Sequence, residues 1–208
     1  IEAEGLQVSD IQTRRIRENP KPPFTTSTLQ QEASRKLGFS ASRTMQIAQR
    51  LYEGINIGSE TTGLITYMRT DGVQLGKEAI ASVRQEIGQR FGNRYLPDTP
   101  RAYRTAAANA QEAHEAIRPT EVSRSPDSIR NFLDYDQARL YDLIWKRTVA
   151  SQMAEARLTM LSVDLNAADA VFRANGKRID FPGFFRAYVE GSDDPDAALE
   201  GQEVLLPA

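Results

Sequence analysis

Apolar residues at helical spacing predict a pair of helices in the first quarter of the chain. Leu29, Ala33 and Leu37 recur every four residues behind a run of hydroxyl side chains that can cap a helix, and Gly38 follows as a stop. A second helix is predicted after the turn at 38–40. Its apolar positions are Ala41, Met45, Ala48, Tyr52 and Ile55. Two helices joined by a tight glycine turn form a helix-turn-helix.

A period of two near both ends of the chain predicts strands. Residues 5–8 alternate, and so do residues 161–165. Asn175-Gly176 predicts a two-residue hairpin turn between strands at 171–174 and 177–179. Three prolines within residues 17–23 exclude regular strand pairing there, so a linker is predicted. We expect the two ends to form one small sheet.

The middle of the chain predicts an extended segment and then further helices. Residues 63–72 are rich in β-forming residues and bounded by glycines, so a strand there would complete a winged helix. Helices are also predicted around 80–91, 110–117 and 140–149, and a short helix is predicted to begin at Ser125-Pro126. The predicted fold class is α+β, with a mainly helical, CAP-like winged-helix domain at 25–155 inserted into a small antiparallel β domain made of 1–24 and 156–208.

The amino-acid composition excludes several kinds of catalytic and structural site. The chain has no cysteine and one histidine, so a cysteine nucleophile, a disulfide framework and a structural zinc site lack the atoms that they need. No apolar run approaches the roughly 18 residues of a membrane span. The chain starts at Ile1 rather than Met and has no signal-like segment, so we expect a piece of a longer polypeptide.

The formal net charge of −2 hides an asymmetry along the chain. The last 20 residues, 189–208, hold six acidic and no basic side chains, so the remaining 26 basic and 22 acidic residues give a net charge of +4. This charge distribution is compatible with a polyanionic partner but does not by itself indicate one.

Tyr67 and Arg69 are candidates for nucleophilic chemistry. In an extended segment a spacing of two places both side chains on the same side. A free phenol has a pKa of about 10, so a tyrosine nucleophile needs nearby positive charge, which Arg69 could supply. An ordinary tyrosine packed on a sheet beside a solvated arginine has the same pattern. Asp71-Gly72 indicates a turn rather than a metal ligand.

Two further sets of residues could contact phosphate or nucleic acid. On a helix, His114 and Arg118 would be i, i+4 neighbours that both reach one phosphate. A surface histidine paired with Glu112 or Glu115 fits equally. Arg43, Gln46 and Arg50 suit contacts with a nucleic-acid backbone or groove, although a solvated helix face has the same composition.

Three blocks of this sequence together resemble the type IA DNA topoisomerases. They are PFTTSTLQ at 23–30, GLITYMRTD at 63–71 and QEAHEAIRP at 111–119, in that order. Each block is long and unusual in composition, so the match is far more specific than a Tyr-x-Arg pair or a helix-turn-helix. The chain is similar to the central part of these enzymes, a helical domain that bears the tyrosine on a β hinge domain.

The resemblance implies a transesterification. Tyr67 would attack a phosphodiester of single-stranded DNA and keep the 5′ phosphate as a phosphotyrosine, while another strand passes through the break before religation. Arg69 would stabilise charge on the phosphate, and His114 would support DNA binding and geometry. The residues expected to contact DNA are Arg43, Gln46, Arg50, Thr66 and Arg118. The implied substrates are single-stranded DNA and negatively supercoiled duplex DNA.

The resemblance also implies parts that this sequence does not show. Family members bind Mg²⁺ (magnesium) through an acidic Toprim domain and have a further helical domain at the base of a ring. Neither is recognisable here, so we expect no metal site in this chain and no relaxation by it alone. The parent protein is expected to be monomeric, without a membrane partner, and cytoplasmic at the bacterial nucleoid.

Three other interpretations remain open from the sequence. A tyrosine recombinase or type IB enzyme also uses Tyr, His and Arg, but it typically shows His-x-x-Arg upstream of the tyrosine, whereas here the spacing is His-x-x-x-Arg and Tyr67 comes first. A non-catalytic winged-helix module would read duplex DNA through residues 42–54. An interaction domain would have no role on DNA at all.

Overall fold

A computed structural model describes residues 7–103, 115–167 and 170–188. The strands are β1 (Gln7–Glu18), β2 (Ile55–Asn56), β3 (Thr61–Thr62), β4 (Ala156–Ala167) and β5 (Ala170–Phe181). The α-helices are α1 (Thr26–Glu32), α2 (Ala41–Glu53), α3 (Lys77–Arg90), α4 (Pro126–Ile129) and α5 (Tyr135–Ser151). Helix α1 continues into a π-helical turn at Ala33–Leu37, and short 3₁₀ turns occur at Asn93–Tyr95, Arg130–Phe132 and Gly183–Arg186.

The main sheet has three antiparallel strands in the order β1-β4-β5. Strand β1 pairs with β4 from Gln7 opposite Asn166 to Glu18 opposite Ala156. The prediction that residues 17–23 form a linker is wrong at its start, because Arg17 and Glu18 still pair with β4. The strand ends just before Pro20, whose ring removes the backbone donor that pairing would need.

The predicted hairpin turn at Asn175-Gly176 is also wrong. Both residues lie inside β5, opposite Ser162 and Leu161 of β4. The Asn175 side chain is used across the strands, where its Oδ1 accepts a hydrogen bond from the Ser162 hydroxyl at 2.7 Å. Ala167 and Ala170 are the last pair of the β4–β5 ladder.

The predicted helix pair is confirmed. Thr25 caps α1 in a reciprocal capping box with Thr28, and Ser40 caps α2. Gly38 joins the two helices in the left-handed region, with φ of +71°. Of the strand or extended segment predicted at 63–72, the strand does not form: the backbone bends repeatedly and makes one bridge, from Ile65 to Pro119. Instead, a hairpin formed by the two-residue strands β2 and β3 follows α2.

The helices predicted around 80–91 and 140–149 and the short helix predicted to begin at Ser125-Pro126 are confirmed as α3, α5 and α4. The helix predicted at 110–117 is wrong over its described part. Residues 115–119 are extended, because Ala116 N–H donates to the Gln74 carbonyl and Ile117 N–H donates to the Phe24 carbonyl. Residues 110–114 lie outside the described ranges.

Every α-helix within the described residues falls between β1 and β4 in chain order. One apolar core runs through the helical block and reaches Leu158 of β4 and Phe184 beyond β5. The Tyr188 hydroxyl then donates to the buried Glu32 carboxylate of α1 at 2.8 Å. The molecule is thus a mixture of helices and an antiparallel sheet with a continuous core. The domain bounds given above stay a prediction.

Candidate active site around Tyr67

The segment that carries Tyr67 alternates between exposed and buried residues. Tyr67 is 49% exposed and Arg69 is exposed, whereas Met68 and Thr70 are buried. The side chains of Tyr67 and Arg69 therefore both reach solvent, as their spacing of two predicts, although the segment is not a strand. Both side chains are therefore accessible from solvent.

Thr66 fixes the backbone just before Tyr67. Its hydroxyl donates to the Ala116 carbonyl at 2.7 Å and accepts from Arg118 N–H at 3.0 Å, while Thr66 N–H donates to the Arg118 carbonyl at 2.9 Å. This side chain was predicted to contact DNA. Its hydroxyl is engaged with residues 116–118, so it holds the Tyr67 segment against the neighbouring extended segment. The DNA contact stays a prediction.

Tyr52 is a neighbour of Tyr67 that the sequence pattern did not reveal. It was predicted on the apolar face of α2, but its side chain is 41% exposed and its ring lies edge-on to the Tyr67 ring, 5.3 Å between centroids. Edge-to-face packing of this kind favours a defined ring orientation. A tyrosine at the last turn of a helix has no sequence signal that separates this role from core packing.

Glu115 and Arg118 form an ion pair beside the site. The Arg118 guanidinium donates to both carboxylate oxygens of Glu115, at 2.8 and 3.0 Å, and Gly76 N–H at the start of α3 also donates to Glu115. Burial opposes the charged form of Glu115, but the hydrogen bonds from Arg118 and Gly76 outweigh it and hold the pKa of Glu115 below its ordinary value. The pair joins residues 115–118 to helix α3.

The predicted pairing of His114 with Arg118 on one helix face does not apply. Residues 115–119 are extended, and His114 lies outside the described residues. The Arg118 side chain is 18% exposed and also donates to the Pro119 and Thr120 carbonyls. In this arrangement Arg118 stabilises the protein's own backbone. Its contact with DNA, like the role of His114, stays a prediction.

The candidate DNA-contact residues of α2 share one exposed face. Arg43, Gln46 and Arg50 are exposed and follow each other at intervals of three and four residues. Arg43 forms an ion pair with Asp136 of α5 at 2.7 Å, which leaves part of the guanidinium open, since the side chain is 46% exposed. The face could contact a polyanion.

Metal-binding geometry is not found among the residues that the structure covers. No group of three or more His, Cys, Asp or Glu side chains within 7–103, 115–167 and 170–188 is placed to hold a metal ion. No helix in these ranges combines the length and the apolar character needed to cross a membrane.

Comparison with known proteins shows which family this chain resembles. A family model described as DNA topoisomerase matches residues 1–206. The chain is 56% identical to DNA topoisomerase 1 of Synechococcus elongatus over 209 aligned residues, which cover 100% of this chain and 22% of that protein. It is 50% identical to DNA topoisomerase 1 of Rickettsia felis, with 100% and 26% covered. It therefore spans about a quarter of the length of these curated relatives.

A solved structure shows the same fold. The structure of full-length topoisomerase I from Thermotoga maritima matches with a TM-score of 0.76 and 36% sequence identity, over 91% of this chain and 31% of that one. The likeness covers both the helices and the antiparallel sheet. Together with the match of the family model, it confirms the resemblance carried by the three sequence blocks, and the chain belongs to the DNA topoisomerase family, with similarity to bacterial topoisomerase I.

Proposed function

We propose that this chain carries the nucleophile of a type IA DNA topoisomerase, an isomerase that breaks and rejoins one DNA strand without an external energy source. One observation carries this proposal. Tyr67 and Arg69 both reach solvent from a segment whose intervening Met68 is buried. A phenol and a guanidinium in this arrangement can meet one phosphate at the surface.

In the proposed reaction the Tyr67 oxygen attacks the phosphorus of a phosphodiester. The bond from phosphorus to the 3′ oxygen breaks, the phenol loses its proton and the 3′ oxygen gains one, so that a 5′ phosphotyrosine and a 3′ hydroxyl result. After strand passage the 3′ hydroxyl attacks the phosphotyrosine and restores both groups. The energy of the broken bond is kept in the covalent link, so no ATP is required. The net result is relaxation of negatively supercoiled DNA.

Each candidate residue then has a role. Arg69 stabilises negative charge on the phosphate as the bond breaks. His114 supports DNA binding and the geometry of the site. Single-stranded DNA lies along Arg43, Gln46 and Arg50 and reaches Thr66 and Arg118. A winged-helix arrangement of α1, α2 and the β2–β3 hairpin would present this face.

The other tyrosines fit the role less well. Burial raises the pKa of Tyr103 to about 12, against the opposing charges of Arg101 and Arg147, and burial also raises the pKa of Tyr141. Both phenols are therefore harder to ionise than an exposed one. Tyr52 and Tyr135 are exposed but lie on helices α2 and α5, where residues two apart do not share a face, so the exposed Arg50 does not stand to Tyr52 as Arg69 stands to Tyr67.

The described residues do not fit a metal site, so no step above uses a metal held by them. We infer that Mg²⁺ acts in the parent protein through carboxylates of a Toprim domain. The partners of this chain would then be DNA and the Toprim and base domains of the same polypeptide, in a monomeric enzyme. Its substrate places that enzyme at the nucleoid in the bacterial cytoplasm.

The test uses the full-length protein to which this chain belongs. Incubation with Mg²⁺ and a single-stranded oligonucleotide should give a denaturant-stable protein–DNA adduct. Tyr67→Phe should abolish the adduct, because it removes only the attacking oxygen. Tyr135→Phe is the matched control, since Tyr135 is the most exposed described tyrosine, at 65%, and should leave the adduct unchanged. An adduct in the Tyr67→Phe protein would overturn the proposal.

A further inference from the structure

Thr26 lies at the start of α1, more than forty residues before the proposed nucleophile, yet it contacts the segment that follows Tyr67. Its hydroxyl donates to the Met68 carbonyl at 2.7 Å, with the Thr70 carbonyl at 3.1 Å. The same oxygen accepts from Thr70 N–H at 2.8 Å, and Thr26 N–H donates to the Thr70 carbonyl at 2.9 Å. One residue thus satisfies the backbone groups on both sides of Arg69.

These contacts complete the support of the Tyr67 segment. Thr66 ties the backbone before Tyr67 to residues 116–118, and Thr26 ties the backbone after it to α1. Between these two anchors the side chains that reach solvent are those of Tyr67 and Arg69. Because the segment has no strand or helix of its own, its shape depends on such anchors.

The neighbouring hydroxyl shows that this use of Thr26 is specific. Thr25 is the N-cap of α1, and its side chain accepts from Thr28 N–H within the same helix. The sequence predicts helix capping for this whole run of hydroxyl residues. Thr26 instead directs its hydroxyl to a segment 42 to 44 residues away along the chain.

We propose that Thr26 is a positioning residue for strand cleavage and religation, and this rests on the proposed function of Tyr67. Its hydroxyl holds Met68 and Thr70 so that the Tyr67 oxygen and the Arg69 guanidinium meet the same phosphate. Loss of the hydroxyl leaves the Met68 carbonyl and the Thr70 N–H without this partner and loosens the segment. A displacement of about 1 Å at reacting groups can lower a rate about 100-fold.

The test compares three variants of the full-length protein. Thr26→Val keeps the shape and removes the hydroxyl, Thr26→Ser keeps the hydroxyl, and Thr25→Val removes the cap of the same helix without touching the Tyr67 segment. Single-turnover cleavage and religation of a single-stranded oligonucleotide should slow 10- to 100-fold in Thr26→Val. The Kd for the oligonucleotide should change less than about threefold, since no DNA contact is removed. Thr26→Ser should recover the rate to within about threefold, and Thr25→Val should match the wild type per folded molecule.

Amide hydrogen exchange gives a second measurement that does not depend on activity. In Thr26→Val, or in Thr26→Ala if the valine variant does not fold, the Thr70 amide should exchange faster while the Leu64 amide, bonded to the Leu51 carbonyl, should not change. Wild-type rates of cleavage and religation in Thr26→Val would overturn the positioning role. So would a loss of these rates in Thr25→Val equal to the loss in Thr26→Val. An adduct that persists in Tyr67→Phe would instead overturn the proposed function, so the two failures are distinguishable.

Discussion

Arg69 is the residue whose charge the proposed chemistry needs most directly. Arg69 is exposed two residues after Tyr67, and a guanidinium can bond two phosphate oxygens at once. We expect Arg69→Ala in the full-length protein to slow oligonucleotide cleavage about 100-fold. The cleavage rate of Arg69→Lys should lie between those of the wild type and Arg69→Ala, because lysine keeps the charge but lacks the planar guanidinium. Single-turnover rates measure this, and an unchanged rate in Arg69→Ala would contradict the assigned role.

Glu115 offers a test of the site's electrostatics by pH. Its lowered pKa means that the charged carboxylate stabilises the fold above the ordinary pKa of 4.5, and that this contribution is lost as pH falls through the lowered value. Glu115→Gln should lower the free energy of unfolding at pH 7 by about 1 kcal/mol, a modest figure because solvent reaches part of the side chain. Urea denaturation should show the difference vanishing at acid pH.

Glu121 provides the control for that experiment. It pairs with Arg124 at 3.0 Å, but its side chain is 56% exposed. We expect Glu121→Gln to cost less than about 0.5 kcal/mol at any pH. A loss in Glu115→Gln that persists unchanged at low pH would show that packing, and not the ion pair with Arg118, sets the effect.

At the scale of elements, the end of α2 packs closely against the segment that leads to Tyr67. A Cβ on Gly63 would lie 2.5 Å from the Tyr52 carbonyl oxygen, so Gly63→Ala must push the segment away from the helix. We expect a loss of about 1–3 kcal/mol in stability and slower cleavage, because Tyr67 is four residues further on.

Gly38→Ala is the matched control at the helix turn. No atom lies within 4 Å of a Cβ there, but φ is +71°, so the cost is conformational, about 1 kcal/mol. Cleavage per folded molecule should stay at the wild-type rate, since Gly38 does not contact the Tyr67 segment. Thermal unfolding and single-turnover rates of both variants check the pair, and equal effects on rate would contradict the account.

Sequence patterns predicted the elements that carry their own periodicity. The helix pair around Gly38 and the long helix α5 follow from apolar spacing and capping residues. The same patterns failed where distant backbone partners decide the structure. Residues 115–119 are helix-compatible but bond to Gln74 and Phe24, and Asn175-Gly176 favours a turn but pairs along β4. Long-range pairing overrides local preference in both cases.

The candidate site is predictable from the sequence only through the three motif blocks, and the roles of its residues stay a prediction. Tyr67 and Arg69 came from spacing together with the family resemblance. The sequence does not assign Tyr52 or Thr26 to the site. An aromatic residue at helical spacing indicates core packing, and a threonine before a helix indicates a cap. Their contacts with the Tyr67 segment depend on the folded path of the chain.

At the scale of the whole molecule, we expect these 208 residues to bind DNA without relaxing it. The proposal places the metal-binding carboxylates in another part of the parent protein, so negatively supercoiled plasmid with Mg²⁺ should keep its topology. Gel electrophoresis shows this directly, and relaxation by the purified chain would contradict it.

Binding by the same chain should depend on salt. The affinity for a single-stranded oligonucleotide should fall as salt rises, and Arg50→Ala should reduce the log–log slope by about 0.7, the value for one phosphate contact on a single strand. Fluorescence anisotropy measures the slope. Salt-independent binding, or none, would favour an interaction domain without a role on DNA.

The central claim is that Tyr67 forms the covalent link to a 5′ phosphate. The direct measurement is mass spectrometry of the adduct that the full-length protein forms with an end-labelled single-stranded oligonucleotide. The account predicts a modified peptide that contains Tyr67. A label at the 3′ end of the oligonucleotide should stay on the fragment attached through its 5′ phosphate, and the released fragment should carry a free 3′ hydroxyl. A link through a 3′ phosphate, or through any tyrosine other than Tyr67, would contradict it.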